Sequence, residues 1–319
     1  ISVIILNWNG KHHLKECLDS VLKQSYRDYE VIVVDNGSTD GSQDYISTNY
    51  PSTLLVKLDQ NYGFCKGNNE GIKVAKGEFI ILLNNDTVVE QDWLENLYRC
   101  IVSMPDIGFC ASKMVSYYDK KLLDSAGDGF AICGAGYKIG HNSYHQGFAS
   151  DQYVFGASAG AAIYKREMLE RIGFLDEDFF AIYEDVDLSF RAQLSGYKCK
   201  FAASAIVYHK VNSTLGTLSD FYVYYGQRNV EYAYFKNMPT RLLLRTLPIH
   251  IVYNFLGLIY FCLKGKGIIF IKAKLAFVKD LNKVLKKRKA IQALKSIDNR
   301  YLWDLFEKKW LLTRINGKL

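Results

Sequence analysis

Four short runs of β-branched and apolar residues punctuate the first hundred positions: 2–8 (Ser-Val-Ile-Ile-Leu-Asn-Trp), 30–35 (Glu-Val-Ile-Val-Val-Asp), 54–58 and 78–84. Near-continuous apolar runs of this length suit strands buried on both faces, as in parallel sheets. Between the first two, Leu14, Cys17, Leu18, Val21 and Leu22 recur at i, i+3, i+4, i+7 and i+8, which predicts one apolar helix face. Further helices are expected at 41–49, 64–75 and 90–103. Strand and helix in alternation predict an α/β chain, with a Rossmann-like, mostly parallel sheet, right-handed crossovers and flanking helices. Open sheets of this kind bind ligands beyond the carboxyl ends of their strands. The apolar run Glu78-Phe-Ile-Ile-Leu-Leu leads there directly into Asn84-Asn85-Asp86.

The segment 108–163 loses the alternation and gains Gly and Tyr, as a mixed sheet edge with long loops over a site would. Within it, Gly127-Asp-Gly-Phe-Ala-Ile-Cys-Gly has a dinucleotide flavour, but its third Gly is misplaced and no strand-to-helix junction surrounds it. From Glu184 an acidic start, apolar Val186, Leu188, Phe190 and Leu194, and then Gly196 predict a short helix with a C-terminal stop. Glu184, Asp185 and Asp187 would suit its dipole on structural grounds alone. A strand over 199–208 then delivers His209, 24 residues beyond Asp185. Singly, Asp86 can be a turn starter and His209 a core histidine. Together, two carboxylates and an imidazole around a strand end are the pieces of metal-assisted group transfer.

A chain of 319 residues with 49% hydrophobic content can bury a full core. Its seven cysteines, at 17, 65, 100, 110, 133, 199 and 262, form no Cys-x-x-Cys pair, so a reducing, cytoplasmic compartment is expected. Ile1 opens straight into an apolar run without a basic segment or small-residue cleavage site, so no signal peptide is visible. The net charge of +7 conceals an asymmetry. Residues 236–319 hold 19 Lys/Arg against 4 Asp/Glu, or +15, and the rest hold 21 against 29, or −8.

In this basic tail, the apolar stretch Leu247–Leu263 contains His250 and Asn254 and, at 17 residues, lies at the short limit for a spanning helix. Aromatics and leucines interleaved with Lys/Arg, and Lys286-Lys-Arg-Lys beyond, predict amphipathic helices in contact with an anionic membrane surface over 240–290. The alternative is a helical subdomain packed on the catalytic region or on a second copy of the chain, as a homo-oligomer. No aromatic-studded groove or binding motif supports nucleic acid as a partner.

Five motifs occur in order: Ser2-Val-Ile-Ile-Leu-Asn-Trp-Asn, Val33-Val-Asp-Asn-Gly-Ser-Thr-Asp-Gly, Asn61-Tyr-Gly-Phe with Gly67-Asn-Asn-Glu-Gly, Leu82-Leu-Asn-Asn-Asp-Thr, and Gly173-Phe-Leu-Asp-Glu-Asp-Phe-Phe followed by Tyr183-Glu-Asp-Val-Asp-Leu. Over about residues 1–235 they resemble an inverting family 2 glycosyltransferase of the GT-A fold. The Asn-Asn-Asp-Thr form resembles the rhamnosyltransferase-like branch more than chitin or cellulose synthases. The Gln-x-x-Arg-Trp pattern of processive relatives is absent, and Gln227-Arg228-Asn229 is the nearest approach.

The resemblance implies a nucleotide-binding half over about 1–105, an acceptor and catalytic half over about 106–235, and a separate helical region over 236–319. It places Trp8 against the nucleobase and Asp35 on the imide edge that uracil and thymine share. Asn69 then lies near the donor, as would Asn68 in the place of a common Arg. Asn85 and Asp86 stand at the Asp-x-Asp motif that binds ribose and a divalent cation, Mg²⁺ or Mn²⁺, with Asn84 replacing the first acid. His209 completes the metal site with Asp86. Asp185 is the catalytic base, assisted by Glu184 and tuned by Glu184 and Asp187. The implied activity is transfer of a sugar, by resemblance rhamnose, from a dTDP- or UDP-sugar to an acceptor hydroxyl in polysaccharide synthesis, and the basic tail adds the expectation of a lipid-linked glycan acceptor at the inner face of the plasma membrane. A noncatalytic scaffold of the same fold is the rival, although Asp86, Asp185 and His209 are all retained. A dehydrogenase lacks its Gly-x-Gly-x-x-Gly, and a nucleotidyltransferase lacks its phosphate loop: Asn7-Trp-Asn-Gly-Lys-His follows the first strand instead.

Overall fold

The computed structural model describes residues 1–210 and 218–311. The four apolar runs form strands β1 (Ser2–Asn7), β2 (Glu30–Asn36), β3 (Leu54–Leu58) and β4 (Phe79–Asn84), connected by helices α1 (Lys11–Leu22), α2 (Ser42–Asn49) and α3 (Gly63–Val74). β1 pairs in parallel with β2 on one side and β4 on the other, and β2 pairs in parallel with β3. Alternate residues of β1 supply opposite faces. Ile4 joins Ile72 of α3, whereas Val3 and Ile5 join Leu14 and Leu18 of α1. Gly71 permits the close approach of α3, since a Cβ there would lie 2.5 Å from Ile4 Cγ2.

After a short β5 (Thr87–Val89) and α4 (Trp93–Val102), β6 (Ile107–Ser116) enters the sheet. Small pieces follow: β7 (Leu123–Ser125), the hairpin β8 (Asp128–Phe130) and β9 (Gly136–Lys138), and β10 (Gln152–Val154). Then come β11 (Ala161–Lys165), α5 (Arg166–Ile172), a 3-10 turn at Glu177–Phe179, α6 (Glu184–Leu194) and β12 (Lys198–His209). The strand order among the described residues is β10-β12-β6-β11-β4-β1-β2-β3. Of the mixed sheet edge expected over 108–163, β10 is an edge strand, but β6 and β11 are interior strands, β11 antiparallel to both β4 and β6. Antiparallel entry needs no helical crossover, so the helix-alternation signal fades there. The Gly127 segment forms the β8–β9 hairpin and no strand-to-helix turn.

The tail is helical: α7 (Asp220–Asn237), α8 (Thr240–Leu263), α9 (Gly267–Lys279), α10 (Leu281–Ala293) and α11 (Asn299–Leu305). It is continuous with the sheet domain's core. Phe277 and Val284 join the same buried cluster as Ile4 and Phe109, and Leu302 and Phe306 pack with Phe130 and Phe190.

Candidate active site

The sheet reverses its winding at β1, with β2 and β3 on one side and β4 on the other, which creates the crevice where ligands of doubly wound sheets bind. The ends of β1, β2 and β4 converge there. Asn7 is fully buried: its Nδ2 donates to Asp35 Oδ2 (3.0 Å) and Ser38 Oγ (3.2 Å), and its Oδ1 accepts from Asn85 Nδ2 (2.8 Å). Asp35 also accepts from the Ser38 amide (2.9 Å) and Gln43 Nε2 (2.8 Å), so its carboxylate is rigidly aimed. The loop after β1 is sewn to the loop after β2, because Asn9 Oδ1 accepts from the Thr39 amide (2.8 Å) and Ser38 Oγ accepts from the Asn9 amide (2.9 Å). Trp8 stands on this rim, 45% exposed, with its ring available to a planar ligand.

Asp86 is buried, and its Oδ1 lies 3.4 Å from His209 Nε2. β5 pairs with the end of β12 and so brings the two together, with Thr87 opposite His209. The other ring nitrogen of His209 lies 2.9 Å from Asp124 Oδ2. Burial opposes a charged ring, but hydrogen bonds and charge from Asp124 and Asp86 outweigh it and raise the His209 pKa to about 9. Asp124 is itself bound by Lys138 Nζ at 2.7 and 2.9 Å; burial opposes its charge, but His141, His209 and Lys138 hold it ionised well below the usual carboxylate range.

Among the described residues no three His, Cys, Asp or Glu converge in ligand geometry. Once Nε2 of His209 gives up its proton, the pair Asp86 and His209 fits a divalent cation that takes its other ligands from substrate phosphates and water. The Asp124–His209 contact has the form that orients metal-binding imidazoles.

The acidic pair stands at the start of α6. Glu184 is buried and its Oε2 has no hydrogen-bond partner among the described residues, while Asp185 Oδ1 accepts from the Val186 amide (2.8 Å). Burial raises both carboxyls, and Glu184 is pushed up further by Asp185. A third acid, Asp128 on β8, is raised by burial and by Asp185. Like charges at close quarters retain protons. Asp187 binds Lys236 Nζ (2.7 Å), Arg191 Nε (2.9 Å) and Asn237 Nδ2 (2.7 Å) and still adds to the upward push on Glu184, while Asp128 is a further acid near Asp185.

Asn69 lies outside this cluster. Its Nδ2 donates to Leu175 O (2.9 Å) and Glu177 Oε1 (3.1 Å), and its Oδ1 accepts from the Leu175 amide (3.1 Å), so it fixes the segment leading to α6. Asn68 is buried against Phe64 O. Asn7, Asp124 and Asp128 were missed from the sequence. Asn7 precedes Trp8 in the first motif, and Asp124 lies just before and Asp128 within the Gly127 segment, whose glycines drew the dinucleotide comparison. A cleft of about 460 Å³ bounded by Tyr26, Tyr29, Glu30 and Tyr98 holds none of these residues.

Residues 2–173 match the family described as glycosyl transferase family 2. The glycosyltransferase GlyG of Streptococcus pneumoniae is 35% identical over 102 residues, covering 31% of this chain and 34% of that protein. The poly-beta-1,6-N-acetyl-D-glucosamine synthase of Staphylococcus aureus is 25% identical over 224 residues, 68% of this chain and 52% of the relative. The chain thus spans about half or less of the length of these two relatives. GalNAc-T7, solved with UDP, GalNAc and Mn²⁺, shares the fold at a TM-score of 0.57 and 16% identity, over 73% of this chain and 47% of that one. A buried, mostly parallel sheet with its polar crevice at the β1–β4 switch, matched over more than half the chain, places the protein in glycosyl transferase family 2.

Proposed function

We propose that the chain is an inverting, divalent-cation-dependent glycosyltransferase that moves a sugar from a UDP- or dTDP-sugar to a hydroxyl of a lipid-linked glycan at a cytoplasmic membrane face, in polysaccharide synthesis. The observation that carries this is the convergence of Asp35, Asn85 and Asp86 at the β1–β4 switch, together with a buried acid pair whose carboxyls are raised. Asp35, locked by Asn7, Ser38 and Gln43, offers an acceptor to the imide NH that uracil and thymine share, and Trp8 offers a stacking face. Asn69 contributes through the 175–177 segment that it fixes.

The chemistry asks for one base. The acceptor hydroxyl gives its proton to Asp185 while its oxygen attacks C1 of the donor sugar, and the bond from C1 to the diphosphate oxygen breaks with inversion. Burial makes Asp185 a stronger base than a solvated carboxylate, and Glu184 beside it raises the cost of a second charge. When bound, a divalent ion held by Asp86 and His209 supplies Lewis acidity that neutralises charge on the departing diphosphate. GalNAc-T7 with UDP and Mn²⁺ supports both the nucleotide and the ion. Rhamnose as the sugar is supported by the Asn84-Asn-Asp-Thr motif alone.

The lipid-linked acceptor is supported by α8 and α9. Among the described residues one helix, Thr240–Leu263, is long and apolar enough to cross a membrane. One stripe of it, including Thr246, His250 and Tyr253, is buried on the protein, and His250 Nε2 lies 2.9 Å from Glu231 Oε2. Crossing would tear that buried pair apart, which supports a helix lying along the surface. Its outer face shows Ile251, Phe255 and Leu263 (82% exposed), continued on α9 by Ile268 (72%) and Leu275, with Arg241, Arg245, Lys264 and Lys272 around them. An apolar face with a basic rim fits an anionic bilayer.

The test is calorimetric titration of the chain with UDP, dTDP and GDP, each with and without Mn²⁺ or Mg²⁺, beside Asp86→Ala. Metal-dependent binding of UDP or dTDP that Asp86→Ala abolishes is expected. No binding at all would favour a noncatalytic scaffold, and tight GDP binding would overturn the role of Asp35.

A further inference from the structure

The segment before the acid pair is held in an unfavourable shape. Phe180, Ile182 and Tyr183 have φ of +63°, +70° and +73°, although none is glycine and Ile182 is β-branched. Bulky residues rarely occupy this region, and such conformations persist only where the surroundings over-determine them. Tyr183 is the residue immediately before α6, so its left-handed turn sets the direction in which Glu184 and Asp185 leave it.

Two helices grip this segment. From α3, the Cys65 amide donates to Phe180 O (3.2 Å). From α7, the fully buried Asn229 Nδ2 faces Phe179 O (3.0 Å), Ala181 O (2.9 Å) and Ile182 O (2.7 Å). Its Oδ1 accepts from Arg228 Nε (2.9 Å), which fixes the amide with its NH₂ toward the carbonyls, and Arg228 Nη2 itself donates to Asp178 O (2.7 Å). The following ring is held as well, because Phe180 stacks on Tyr225 with centroids 5.2 Å apart.

We propose that Asn229 is a positioning residue for the catalytic base: its amide holds residues 179–182 in the left-handed turn that aims Glu184 and Asp185 at the acceptor. The role of Arg228-Asn229 in this chain is thus to shape the base loop. The proposal rests on Asp185 being the base. Its physical logic is that a side-chain NH₂ satisfies carbonyls which this turn removes from any regular ladder, and only a donor can do so.

Asn229→Asp keeps the size of the side chain but turns an acceptor toward the three carbonyls. In the full chain it is expected to lower kcat about a hundredfold, the scale of a 1 Å misplacement, with the nucleotide dissociation constant unchanged. Amide hydrogen exchange over 178–187 should accelerate while β1 and β2 keep their protection. Tyr234→Phe, which removes a 2.8 Å bond to Thr246 from the same helix without touching the segment, gauges lost stability and should leave kcat alone. Unchanged exchange over 178–187 in Asn229→Asp would overturn the proposal, as would a kcat within twofold of wild type or a kcat loss matched by Tyr234→Phe. Exchange needs no sugar donor. It reads the hold of Asn229 on the segment apart from the identity of the base, whereas a fully active Asp185→Asn would overturn the base assignment and the positioning role with it.

Discussion

His209 and Asp124, 85 residues apart in sequence, meet with Nδ1 and Oδ2 2.9 Å apart, which turns Nε2 of the ring toward Asp86. Asp124→Asn can no longer accept with full charge and leaves the tautomer unfixed. Cation affinity is expected to fall about 10- to 100-fold, the usual effect of losing such an outer partner. Electron paramagnetic resonance of free Mn²⁺ measures it, and unchanged affinity would remove Asp124 from the site.

Asp185→Asn keeps shape and removes basicity. Turnover should drop roughly 10²–10⁴-fold while nucleotide binding stays near normal. Glu184→Gln should cost less turnover and stabilise the fold, because it replaces a buried acid whose Oε2 lacks a hydrogen-bond partner among the described residues. Single-turnover kinetics with thermal melts separate the two effects.

Gly10→Ala probes the rim. A Cβ there would stand 2.2 Å from Asn85 Nδ2 and 2.8 Å from Asn7 Oδ1, so the Asn85 side chain must swing away. The melting temperature should fall, since the buried Asn7 Oδ1 loses its donor, at a cost of about 1–3 kcal/mol. Nucleotide affinity should fall about tenfold, the scale of one lost hydrogen bond to the ligand. Calorimetry against wild type reads both the affinity and the enthalpy of that bond.

Glu231 sets an acid limit on the fold. Burial pushes its carboxyl upward, but His250 and then Lys274 outweigh that and hold it at about 2. A depressed folded value contributes stability that is complete above the unfolded value near 4.5 and is lost as pH falls through about 2. The contribution is about 3 kcal/mol, of which most should vanish between those limits. Urea unfolding midpoints should fall over that window. In Glu231→Gln this part of the fall should be missing.

Phe255→Glu with Leu263→Glu puts charge on the outer face of α8 without touching its buried stripe. Sedimentation with vesicles containing anionic lipid should be abolished, and replacing Lys264 or Lys272 should weaken it by about 1 kcal/mol each. Full retention by the double variant would favour a protein partner over the bilayer.

The strand runs 2–8, 30–35, 54–58 and 78–84 and the apolar face of α1 could be recognised in the sequence because each element is decided by neighbours within a few residues. Their order then placed Asp35, Asn85 and Asp86 at strand ends, since a parallel sheet sends its carboxyl ends to one side. β6 was assigned to an edge because its interior place comes from antiparallel pairing with β11, between residues such as Cys110 and Ile163 that no local periodicity connects. Contacts across the chain decided the rest. Asn7 joins Asp35 to Asn85, Asp124 turns His209, Lys236 and Arg191 pair with Asp187, and Asn229 holds a turn whose dihedrals no pattern of residue types encodes. By itself, the sequence determined the elements and the side of the sheet on which the chemistry-bearing residues collect. The tertiary structure decided which carboxyls keep a proton and which are neutralised, because that depends on burial and on charges brought close by folding.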